Sequence, residues 1–83
     1  MATRLRGLLA EFSDRLPVDS ADALAFFVNH NELGVALENM THALEESRSP
    51  ISLAQRDEML SLAASMELDE PVLALIASLP TVA

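Results

Sequence analysis

Cysteine is absent from the 83 residues, which excludes disulfides, thiolate chemistry and any cysteine-based zinc site. A domain this small without such staples fits a reducing compartment. The only basic residues are Arg: five of them face thirteen Asp and Glu, for a formal net charge of −8. Counterion release rewards positive protein charge, so binding to nucleic acid is not expected, and anionic membrane surfaces are disfavoured for the same reason. A basic partner protein, by contrast, would be drawn in faster. Glycine is limited to Gly7 and Gly34, so no glycine-rich phosphate loop exists. Trp and Tyr are missing, and three Phe supply all the aromatic content. The longest apolar runs, residues 23–28 and 72–77, fall far below the ~18 residues of a membrane span. Arg4 and Arg6 ahead of Leu8 and Leu9 have the look of an export signal, but Glu11 and Asp14 interrupt it too early. The expected location is the cytoplasm.

What is present is Ala, Leu and Met in a chain that is 51% hydrophobic. These side chains lose little freedom in a helix, so an all-α domain is expected. Leu5, Leu8, Leu9, Phe12 and Leu16 fall on one helical face, with Thr3 as cap and Pro17 as stop. Asp19 or Ser20 would cap a second helix reaching about Asn29. That helix would bury Leu24, Phe27 and Val28 and leave Phe26 on the far side. Asn29 and Glu32 have capping-box spacing ahead of a third helix striped by Leu33, Ala36, Leu37, Met40 and Leu44. There Gly34 either weakens the helix by roughly 1 kcal/mol or permits a close approach. After a loop at residues 47–50, Ser52 and Gln55 form a second box that opens a fourth helix lined by Met59, Leu62, Ala63 and Met66. Asp69, Glu70 and Pro71 start a fifth helix, with Val72, Leu75, Ile76 and Leu79 on one face, and Pro80 stops it. No period-two alternation occurs. The spacing predicts one domain over residues 1–83, a compact bundle of about five short helices, of which the third and fourth resemble one helical hairpin of a repeat protein.

An enzyme needs a nucleophile or base with its orienting partners, a metal, or a phosphate loop, and the chain has no recognised pattern for any of them. Glu38 and His42 stand four apart on one helical face, but His30 is the only other histidine, so a zinc set is poorly supplied. No catalytic residue, metal or cofactor is expected. Two surpluses remain. Glu45 and Glu46 occupy the last turn of the third helix, where the dipole disfavours negative charge. If that helix pairs with the fourth, Asp57 and Glu58 join them, unless Arg48 and Arg56 offset the cluster as a solvated face. On the apolar side, Phe26, Leu60 and Leu73 exceed what the stripes need. They are either buried on broad helix faces or meet another chain.

The stretch from Phe27-Val28-Asn29-His30-Asn31-Glu32 to Leu33-Gly34-Val35-Ala36-Leu37-Glu38 resembles the signature of the MafI-type immunity proteins of bacterial polymorphic toxin systems. Pro50-Ile51-Ser52 and the run to Met66-Glu67-Leu68-Asp69 are similar to that family's next loop and helix, so the resemblance spans residues 20–70. Where the family often has Gly-Glu-Trp, this chain reads Asn31-Glu32-Leu33. The resemblance implies a protein that binds a cognate toxin domain and blocks its active site or substrate access, without catalysis or cofactor. The candidate contact residues are Phe26 as an apolar anchor and Glu38, Glu45, Glu46, Asp57 and Glu58 as an acidic edge. The competing expectation is a helical adaptor whose apolar fifth helix makes a homodimer.

Overall fold

Five helices follow one another in a computed structural model that describes residues 1–82: α1 (Ala2–Phe12), α2 (Val18–Asn29), α3 (Leu33–Ser47), α4 (Leu53–Ser65) and α5 (Glu70–Ala77). Helix α1 buries Leu5, Leu8 and Phe12. It opens on Met1, whose carbonyl accepts from the Leu5 N–H at 3.1 Å, so Thr3 lies inside the first turn and caps nothing. The helix also ends earlier than Pro17 requires. The Ser13 hydroxyl donates to the Ala10 carbonyl and the Arg15 N–H to the Phe12 carbonyl, and Leu16 reaches the core from this turn.

Pro17 is then the N-cap of α2, with its carbonyl accepting from the Ala21 N–H at 3.0 Å. Its locked φ sets up the helix two residues ahead of the expected cap. Asp19 falls in the first turn instead, where its charge still complements the dipole.

Helices α2 and α4 end in the same way. The Glu32 N–H donates to the Phe27 carbonyl and the Asn31 N–H to the Val28 carbonyl; Leu68 to Ala63 and Glu67 to Ala64 repeat the pattern. These are Schellman closures, and the residue at the bend is left-handed, Asn31 at φ 58° and Glu67 at φ 55°. Asn29 is therefore the last residue of α2 and forms no box with Glu32, which ends one helix and begins the next. The second box is real: the Gln55 N–H donates to Ser52 Oγ at 3.0 Å, and the Ser52 N–H to Gln55 Oε1 at 2.8 Å. Glu67 lacks the tolerance for left-handed backbone that Asn and Gly have, so Glu67→Gly should stabilise the domain by about 1 kcal/mol. An upward shift of the urea midpoint at constant slope would show it.

Helix α3 is the centre of the fold, packing against all four others and burying Ala36, Leu37, Met40, Thr41 and Leu44. The one polar member, Thr41, donates its hydroxyl to the Leu37 carbonyl at 2.8 Å, so its burial leaves nothing unpaired. The principal neighbours are α2 with α3 and α4 with α5, while α3 and α4 touch only lightly. The condition that α3 and α4 pair as a hairpin is therefore not met; the hairpins are α2–α3 and α4–α5. Leu68, at the turn of the second, rests against Gly34 at the start of α3: a Cβ there would lie 3.2 Å from Leu68 Cδ2. Close approach, then, is the use of this glycine. The Cα radius of gyration, 11.4 Å, matches the roughly 12 Å of a folded chain of this length. No helix among the described residues is long and apolar enough to cross a membrane.

Candidate interaction surface

Leucine, alanine and methionine fill the inner side of α3, which leaves its outer side to polar groups by helical geometry. Val35, Glu38, Asn39, His42, Glu45 and Glu46 form that outer stripe, all exposed. No hydrogen bond joins Glu38 to His42, and among the described residues the only ion pair is Arg4 with Glu58. Among the described residues Glu38, Glu45, Glu46 and Asp57 thus form no ion pair, with Arg48 and Arg56 or with any other residue. Arg48 takes a left-handed conformation just past α3, and the Arg56 Nε is buried without a partner.

Glu58 differs from the other predicted contact residues. Arg4 Nε donates to its Oε2 at 2.9 Å and Arg4 Nη2 to its Oε1, and the same Nη2 reaches Ser61 Oγ at 3.1 Å. This fork joins α1 to α4. A second bridge does likewise, Gln55 Nε2 to Glu11 Oε1 at 2.8 Å. Between the bridges lies an open cleft of about 330 Å³. Arg4, which the helix dipole disfavours at the start of α1, is held by this remote carboxylate. Arg6 similarly reaches Asn29 Oδ1 at 3.3 Å.

The hydrogen bonds from Arg4 hold the Glu58 carboxyl below its ordinary value of 4.5 and raise Arg4 in turn. A carboxyl lowered on folding stabilises the fold above its unfolded pKa, and that contribution fades as acid protonates it through the lowered value. The difference in melting temperature between the wild type and Glu58→Gln should therefore be largest near neutral pH and shrink below 4.5. A gap that stays constant into acid would show that the pair contributes nothing.

Phe26 is 56% exposed at the end of α2, as its place opposite the buried stripe implies. Its ring stacks on His30 with centroids 4.0 Å apart and meets Phe27 edge-on at 5.9 Å. His30 Nδ1 lies 2.8 Å from the Phe26 carbonyl, and since a carbonyl only accepts, that nitrogen carries the proton. Leu60 and Leu73, counted with Phe26 as apolar surplus, instead pack against the core. Helix α5 consequently shows no large exposed apolar side chain.

No family model, curated protein or solved structure matches the chain. The surface therefore stands on its own geometry. Glu46 and His42 line a groove of about 200 Å³ between α2 and α3, together with Ser20, Ala23, Leu24, Asn39 and Ala43. Glu58 lines the α1–α4 cleft instead, so the structure does not gather the five predicted acids into one groove. It does reveal a segregation of charge. Asp19, Asp22, Glu32, Glu38, Glu45 and Glu46 all lie in residues 18–47, where there is no Arg, so this hairpin carries six of the eight net negative charges. The missing Arg was readable in the sequence; the groove was not.

Proposed function

We propose that this chain is an immunity protein, one that binds a cognate polymorphic toxin domain and neutralises it by covering its active site or the route of substrate to it. The observation that carries the reading is the α2–α3 hairpin, with six carboxylates, no Arg or Lys, and the exposed Phe26–His30 stack at one end. Free-standing carboxylates on this scale repel one another and lower stability slightly, so their segregation favours a function in attraction. A toxin that handles nucleic acid presents a basic groove, and an acidic inhibitor competes with the phosphate backbone for it. Exposed aromatic side chains are the usual energetic anchors of such complexes. The hairpin also contains the residues that resemble the MafI-type signature, Phe27 to Glu38. The test is co-expression with the C-terminal domain encoded by the adjacent upstream gene. Capture of that domain and protection of the cell are expected; neither occurring would overturn the reading.

A further inference from the structure

We propose that the groove between α2 and α3 is a docking site for a basic segment of a partner protein, with an Arg or Lys side chain seated between Asn39 and Glu46. This rests on the proposed binding role but requires only a basic partner, not a toxin.

The groove exists because small side chains face each other along the helix pair. Ser20 and Ala23 on α2 oppose Ala43 on α3, and Leu24 lies buried beneath them. The trough continues toward Pro17 and Ser47 at one end. About 200 Å³ is below the roughly 300–1,000 Å³ of small-molecule sites, which favours a side chain over a free ligand.

Its polar rim selects the charge of that side chain. The Asn39 amide nitrogen already donates to the Val35 carbonyl at 2.8 Å, which leaves its Oδ1 as an acceptor. The Glu46 carboxylate has no ion-pair partner among the described residues. The groove thus offers a carboxylate and an amide oxygen beside the Ser20 hydroxyl and the His42 imidazole, with Glu46 its one acidic group and no Arg lining it. A guanidinium or ammonium meets the unpaired charge of Glu46, which repels an anion. A metal ion is a poor occupant, because no three potential ligands converge among the described residues. A second copy meeting this hairpin with its own fits no better, since that would set six carboxylates against six.

A test uses the whole chain, labelled with ¹⁵N, and a synthetic amphipathic helix of Arg and Leu, with a Glu and Leu peptide as control. Amide shifts should concentrate at Ser20, Ala23, Asn39, His42 and Glu46 with the basic peptide only. Ala43→Phe fills the groove at unchanged charge and should weaken binding about tenfold or more; Ser20→Phe serves the same purpose if the first variant does not fold. Glu46→Gln should weaken it by about two- to fivefold, and Glu70→Gln, on α5 outside the groove, should not change it. Shifts spread equally over Asp57, Glu67 and Glu70 would overturn the proposal, as would full affinity in both groove-filled variants. Concentration-dependent groove shifts without peptide would assign the face to self-association instead. The two proposals fail separately. Peptide bound in the groove without capture of the toxin domain overturns only the functional reading; capture unaffected by Ala43→Phe and Ser20→Phe overturns only the groove.

Discussion

Phe12→Ala is expected to lower stability by about 3–5 kcal/mol, the largest loss available from a single side chain in this core. Phe12 is completely buried at the last turn of α1, and it is the bulkiest of the fully buried side chains. Truncation leaves a void that neighbours on separate helices can only partly close. A domain of this length has about 4–12 kcal/mol in all, so the variant keeps little margin. Its melting temperature, followed by helix ellipticity, should fall by at least about 12 °C. Phe26→Ala is the matched control: the same substitution on an exposed ring should change stability by less than about 0.5 kcal/mol. Were Phe26→Ala as damaging as Phe12→Ala, the assignment of inner and outer faces would be wrong. The control has a second use, since Phe26→Ala removes the His30 stack from the proposed binding face while leaving the fold intact.

That contrast between two phenylalanines was available from helical periodicity, which places Phe12 with Leu5 and Leu8 and sets Phe26 opposite Leu24 and Val28. Periodicity also gave the α3 stripe, and the Ser52–Gln55 box followed from local spacing. What local rules missed are places where two elements compete for the same residues. Asn29 to Glu32 must close α2 and open α3 within one turn, and the Schellman bonds take the groups that a capping box needs. Helix pairing is set by the connections and not by the helices themselves. The short turn around Asn31 forces α2 and α3 to be neighbours, whereas the stretch after α3 is drawn inward at Ile51 and carries α4 away. Long-range side-chain bonds lie outside any local rule. Nothing near Glu58 in the chain shows that its partner is Arg4, 54 residues earlier. The proposed groove has the same character: Ser20, Ala23 and Ala43 are unremarkable until two helices bring them face to face.

Ile51 is the strongest case of a residue whose role no periodicity reveals. It lies between helices, flanked by Pro50 and Ser52, yet it is fully buried. The segment after α5 holds it there. The Ile51 N–H donates to the Pro80 carbonyl and the Val82 N–H to the Ile51 carbonyl, both at 2.9 Å, in a single parallel bridge to Thr81. Both backbone groups of a buried residue are thereby satisfied outside any helix. Leu79, just before this bridge, is also buried, so one short contact closes the fold between the α3–α4 connection and the end of α5. Ile51→Ala should therefore cost about 2–5 kcal/mol, nearly as much as the loss of Phe12. The two variants should differ in kind. Losing Phe12 weakens the centre and should lower protection from hydrogen exchange throughout. Losing Ile51 should first release the amides of Ile51 and Val82 by local opening, ahead of those in α3. Uniform acceleration of exchange, with no early loss at those two amides, would show that the bridge has no separate opening of its own and that Ile51 acts only as one more core side chain.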